Sequence, residues 1–125
     1  MLYLLMDEKK DTTLIKIGKT SNLANREKAY HTTNPLVEKI SYIKIKKDDI
    51  AEKEYHFEMI LLGFERVEQT EWFKINSNIA EFIKYYGFNA FATTKNYHNV
   101  SYVYGTNCKN PIPKIKLKDF KAGVM

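Results

Sequence analysis

Residues 13–31 read "TLIKIGKTSNLANREKAYH", and the fold turns on how this stretch divides. It contains Gly18-Lys19-Thr20, the ending of a phosphate-binding P-loop. That loop needs Gly-x-x-x-x-Gly-Lys-Ser/Thr, because its first glycine lets the backbone curl around the phosphates. The corresponding position here is Thr13, and the residues between are Leu14, Ile15, Lys16 and Ile17. An apolar, β-branched run of this kind forms a strand and not a flexible loop. A P-loop is therefore excluded. The strand stops at Gly18, where a glycine permits a close turn or a close backbone approach. Ile15 and Ile17 share one face of it, while Leu14, Lys16 and Gly18 share the other.

Working outward, "LYLLM" (2–6) is a second strand-like run, and the polar "DEKKDTT" between the two suits an antiparallel hairpin. Residues 21–31 follow as a helix, capped by Ser21 or Asn22 and stopped by "TTNP" (32–35), since a residue before proline avoids helical dihedrals. "VEKISYIKIKK" (37–47) alternates like a third strand. The stretch 48–64 is the longest helical one, with Asp49 and Glu52 at capping-box spacing and Gly63 near its end. "TEWFKI" (70–75) is extended, and 77–88 is a further helix, with Asn78 and Glu81 at capping spacing and Gly87 at its stop. The order strand, strand, helix, strand, helix, strand, helix predicts an α/β (α+β) domain, a small antiparallel sheet flanked by helices. After about residue 92 the chain becomes turn-rich and then lysine-rich, so we expect a main domain over 1–92 and a strand with a basic extension over 93–125.

Composition narrows the function classes. A net charge of +5 is compatible with a polyanionic partner. Only Arg26 and Arg66 are arginines, so an arginine here is expected where its planar fork is needed. The single cysteine, Cys108, excludes an internal disulfide and fits an intracellular setting. "MLYLLM" is too short for a signal peptide or a membrane span, so no membrane partner is expected. Three histidines and one cysteine at irregular spacing give no zinc site.

Four positions carry a coherent chemistry: Tyr3, Lys16, Arg26 and a glutamate of the long helix, Glu52 or Glu54. A carboxylate can hold a divalent cation that polarises a phosphate, and an arginine can clamp phosphate oxygens. A tyrosine or a neutral lysine can orient or deprotonate a water. "YLL", "IKIGKTSNLANREKAYHTTNP" and "TEWFKI" together resemble the GIY-YIG nuclease superfamily, over roughly residues 2 to 76. They are most similar to its branch of phages and large DNA viruses, in which the second motif reads Lys-Ile-Gly. The resemblance implies a DNA endonuclease that hydrolyses phosphodiester bonds with Mg2+ or Mn2+. It assigns the two tyrosine positions to Tyr3 and Lys16, the helix arginine to Arg26 and the metal-binding glutamate to Glu52, with His56 in support and Glu54 as the alternative. Met1 and Leu2 stand where the superfamily has glycine and isoleucine. DNA contacts are expected from Lys19, Arg26, Lys114, Lys116 and Lys118. Such a protein would act in the cytoplasm, or in the nucleus of a host cell. With no second recognition domain visible, specificity is expected from the tail, a homodimer or a separate partner.

Each residue also has a purely structural reading. Tyr3 can be a strand aromatic, Lys16 the solvent face of a hairpin, Arg26 a surface partner of Glu27, and Glu52 the reciprocal half of a capping box. Trp72 and Phe73 read as core anchors, and Glu71 as structural. The alternatives to a nuclease are a catalytically degenerate DNA-binding module of the same fold and a small protein-interaction domain. Convergence of Tyr3, Lys16, Arg26 and Glu52 on one open surface separates the nuclease from the degenerate module, whereas an interaction domain would place these four residues and the basic tail on unrelated faces.

Overall fold

A computed structural model describes residues 1–9, 12–34, 36–96, 101–104 and 116–121. Cys108 and Lys114 lie outside the described residues. Six strands form one antiparallel sheet: β1 (Leu2–Glu8), β2 (Thr13–Lys19), β3 (Glu38–Lys44), β4 (Glu65–Arg66), β5 (Trp72–Ile75) and β6 (Ser101–Tyr104). Their spatial order is β4-β5-β2-β1-β3-β6. Four helices accompany them: α1 (Leu23–Thr33), α2 (Asp48–Leu61), α3 (Ser77–Tyr86) and α4 (Leu117–Lys121), with two short 3-10 helices at Gly87–Ala90 and Ala92–Asn96. This is the α+β architecture that the order of strand-like and helix-like runs predicts.

β1 lies between β2 and β3 and is buried on both faces, which is why "LYLLM" is a continuous apolar run and not an alternating one. Leu2, Leu4 and Met6 join Ile15, Ile17 and Phe73 in the main core, against Ala51, Tyr55 and Met59 of α2, Ile79 and Ile83 of α3, and Leu117 of α4. Tyr3 and Leu5 face the other way, where Val37, Tyr42, Tyr30 and Trp72 make a smaller cluster. The sheet thus has a large helix-covered face and a second face with α1 against it.

Four details differ from the sequence reading. α2 is capped by Lys47 with no side-chain hydrogen bond, so Asp49 and Glu52 form no capping box. α3 begins at Ser77 as expected, but its cap is two residues earlier: Asn76, not Asn78, accepts the N–H of Ile79 at 2.9 Å. β4 has no apolar alternation to announce it, because it exists only as the two-residue partner of β5. The basic extension contains α4, whose Leu117 is fully buried and whose Phe120 ring stacks 4.7 Å from Phe82. α1 keeps its expected cap, with Asn22 accepting from Asn25 at 3.1 Å, and its C-cap Asn34 is extended.

The hairpin register pairs Tyr3 with Gly18 and Leu5 with Lys16. Directly paired residues share a face, so Tyr3, Gly18, Leu5 and Lys16 all look toward α1. A Cβ on Gly18 would come closer to Oη and Cζ of Tyr3 than any real contact allows. Gly18 is thus a seat for the Tyr3 ring. Gly18→Ala is expected to lower stability by about 1–3 kcal/mol through overpacking, read from the denaturant midpoint. The penalty should shrink in a Tyr3→Leu background, where the colliding ring is gone; an equal penalty in both backgrounds would contradict this assignment.

Candidate functional site

The site is assembled from β1, β2, α1 and α2. On α1, Arg26, Ala29, Tyr30 and Thr33 recur at helical spacing and line one wall of a cleft of about 490 Å3. Tyr3, Leu5, Asp7, Lys16 and Trp72 come from the sheet below and beside it. Arg26 is exposed, and its guanidinium carbon stands 5.9 Å from the centre of the Tyr3 ring. Its guanidinium makes no ion pair among the described residues, and Glu27 is not its partner. Glu27 instead accepts hydrogen bonds from Tyr42 Oη at 2.5 Å and Lys39 Nζ at 2.9 Å. These bonds hold the Glu27 carboxyl below its ordinary range, the tyrosine contributing first and the lysine second. Burial and the same carboxylate push the Tyr42 phenol well up. The cluster ties α1 to β3 one residue beyond Arg26. At the other end of α1, Asn34 Nδ2 donates to Asp7 Oδ2 at 2.9 Å.

Tyr3 is 2% exposed. Burial raises its phenol above the ordinary value, Arg26 opposes the rise, and the charges of Glu71 and Glu52 add to it. Tyr3 is therefore a neutral phenol at neutral pH, able to donate and accept hydrogen bonds.

Glu52 reaches the site along the edge of β2. Strand β5 pairs β2 only from Thr13 to Lys16. Beyond that point Ile17 and Lys19 would present unpaired backbone groups. α2 supplies the partners, with two side chains one turn apart. His56 Nε2 donates to the Ile17 carbonyl at 2.6 Å, and the Lys19 backbone N–H favours the charged form of Glu52. His56 thus spends its Nε2 proton on the strand and acts as a positioning residue. Burial, then the Glu71 charge, raise the Glu52 carboxyl, while His56 and Lys19 oppose the rise. Glu71 Oε2 is itself 4.0 Å from Lys16 Nζ.

Tyr3, Lys16 and Arg26 share the cleft, and Glu52 acts on Tyr3 from the end of β2 beside it. Glu54 looks to the opposite side of α2, where Asn96 Nδ2 lies 3.4 Å from its Oε2. A separate groove of about 850 Å3 runs there, between Ile50, Phe57, Leu61 and Lys118. Lys116 Nζ donates to the Asn89 carbonyl at 2.8 Å, away from the cleft. Lys19 is exposed at the end of β2. Trp72, read from sequence as a core anchor, packs against the smaller cluster and also lines the cleft. Trp72 is the cross-strand partner of Lys16, a placement that only the register reveals. Phe73, its neighbour, is in the main core as expected.

No three acidic, histidine or cysteine side chains converge as a metal cage among the described residues. Mg2+ needs none: it binds through one or two carboxylates together with substrate phosphates and water. A desolvated Glu52 beside the charge of Glu71 suits a hard cation, whose binding would relieve the repulsion.

The molecule is thus an α+β domain whose sheet and first helix enclose a cationic, aromatic cleft, with Glu52 beside the end of β2. A family model described as the T5orf172 domain matches residues 1–85, more than half of the chain, and the chain belongs to that family. The family is phage-associated and related to nuclease and DNA-binding modules. Neither a curated protein nor a solved structure shows significant similarity to it. No described helix is long and apolar enough to cross a membrane.

Glu52 has a pKa above its unfolded value of 4.5. Between those two values the folded state binds more protons, so stability falls as pH rises through that window. Glu52→Gln removes this term and keeps a carbonyl oxygen toward Lys19. Its melting temperature relative to wild type should therefore climb as pH rises from below 4.5 to neutrality. A difference independent of pH, followed by thermal unfolding across that range, would count against this account of a partly buried carboxylate.

Proposed function

We propose that this protein is a divalent-metal-dependent DNA endonuclease of GIY-YIG type. The observation that carries this reading is the gathering of Tyr3, Lys16, Arg26 and Glu52 around the end of β2. Their structural alternatives account for only part of this arrangement. A surface arginine needs no seat over a tyrosine ring, and Glu52 caps no helix. The same gathering speaks against a mere protein-interaction domain, for which these residues would have no reason to meet.

Glu52 would hold the cation, and Mg2+ or Mn2+ when bound polarises the scissile phosphate and stabilises the leaving oxygen. Arg26 grips the non-bridging oxygens through paired, charge-assisted hydrogen bonds. Tyr3, a neutral phenol fixed by burial, and Lys16, two positions away on the paired strand, position the attacking water. The water oxygen bonds to phosphorus and gives up a proton to solvent, the bond from phosphorus to the leaving oxygen breaks, and that oxygen takes up a proton from solvent. Lys19 adds positive charge for the flanking backbone, so binding should weaken with salt.

Wild type is expected to nick supercoiled plasmid with Mg2+ and not with EDTA. Arg26→Ala and Glu52→Ala are each expected to lower the rate roughly 100-fold or more. Salt-sensitive DNA binding without any nicking by wild type would replace this reading with that of a catalytically degenerate DNA-binding module.

A further inference from the structure

The two ends of the cleft differ in chemistry. Tyr3 and Arg26 mark one end. Asp7, four residues further along β1 and on the same face, marks the other, roughly 14 Å away at the rise of an extended strand. Cations and a phenol suit a phosphate at the first end. A carboxylate at the second end would repel a neighbouring phosphate. Between them the walls are aromatic and aliphatic: Trp72 on the β5 side, Tyr30 on the α1 side, Leu5 below.

Asp7 is unusual for such a place. It is 6% exposed, and a buried carboxylate needs partners. Asn34 donates to its Oδ2 at 2.9 Å, and Lys9 Nζ stands 3.8 Å away. A carboxylate offers about four acceptor positions, so this arrangement holds the group in place and leaves it able to accept from a further donor. Aromatic and aliphatic walls beside a fixed polar group are the general form of a small-molecule subsite, and the cleft as a whole, at about 490 Å3, falls within the usual range.

We propose that the Asp7 end is a nucleobase subsite. It accepts one unstacked base next to the scissile phosphate, packs it against Trp72, and accepts a hydrogen bond from its exocyclic amine through Asp7. This inference rests on the nuclease reading and adds a substrate class: DNA with an extrahelical base, such as a bulge. Taking a base out of the stack is least costly where it is already unpaired. A carboxylate favours the amine of cytosine or adenine over the carbonyl of thymine.

The test compares single-turnover cleavage, with Mg2+, of a linear duplex and of the same duplex carrying one bulged cytosine. Wild type is expected to cut the bulged substrate faster. Trp72→Leu should lower that ratio roughly 5- to 150-fold, the range for loss of one base–aromatic stack, and Trp72→Phe should retain most of it. Asp7→Asn, which can still accept from Asn34, should abolish the preference for bulged cytosine over bulged thymine. Equal cleavage of bulged and paired duplex by wild type, or ratios unchanged in both Trp72→Leu and Asp7→Asn, would overturn the subsite and leave the nuclease reading intact. A fluorescent base analogue placed at the bulge, titrated with protein in EDTA, decides the case in which nothing is cut. Quenching by wild type that Trp72→Leu loses would support the subsite while the chemistry is given up; no quenching by wild type would overturn it.

Discussion

The ring of Tyr3 occupies the space that a side chain at position 18 would need. That exclusion organises everything on the α1 face of the sheet. With Gly18 beneath it, the phenol lies low against β2 and is almost wholly buried, and Arg26 can stand over the ring from α1. On its other side Tyr3 pairs across strands with Tyr42, which is bonded to Glu27 of the same helix. One ring therefore sits between a glycine and a tyrosine, beneath the helix whose arginine it needs. The glycine of "GKT" performs a steric task, and its likeness to a phosphate loop ends at the spelling.

A second constraint fixes the glutamate. β5 stops pairing at Lys16, and backbone groups left without partners away from water are costly. His56 and Glu52, at i and i−4 on α2, take over that edge. The position that covers this edge is the one that brings a carboxylate to the end of β2. Because it is partly desolvated and near Glu71, Glu52 carries a raised pKa, and its ionisation at neutral pH costs some stability. Groups held at a cost in the folded state commonly mark functional sites, although structural networks also produce them. Here the edge-capping role and the proposed catalytic role are compatible, since the first orients the side chain and the second uses its charge.

Much of this was legible in the sequence, and the losses have definite causes. The β1–β2 hairpin, α1 and α2 were visible from apolar periodicity and from the glycines and asparagines that bound them. Lys16 and Gly18 could be placed on one face by strand alternation alone. Whether Tyr3 joined them depended on register, which periodicity does not carry, because a one-residue slip would reverse the face. The same gap hid Trp72: its neighbour Phe73 lies in the core, and no local signal tells which of two consecutive aromatics turns outward. Glu52 and Glu54 were separable only in part, since helical geometry puts them on opposite sides but cannot say which side meets β2. The capping-box spacing of Asp49 and Glu52 misled because a propensity for caps is local, whereas α2 starts where the connection from β3 delivers it. β4 and α4 are too short to have a period, and form through pairing with β5 and burial of Leu117.

The distribution of charge also changes how the basic composition should be understood. Of the tail lysines expected to contact DNA, Lys116 donates to the Asn89 carbonyl and Lys118 borders the groove on the far side of α2, while Lys114 lies outside the described residues. What matters for a polyanion is local potential, and along the cleft Arg26 stands at one end with Lys19 near it, Lys16 midway, and the Asp7 carboxylate with its partner Lys9 at the other. Under the proposed nuclease reading, the Arg26 end would favour the phosphate and the aromatic end, where Lys9 offsets much of the Asp7 charge, would favour the base. Net charge brings nucleic acid to the surface, but the order of charges along β1 is what would fix its orientation there.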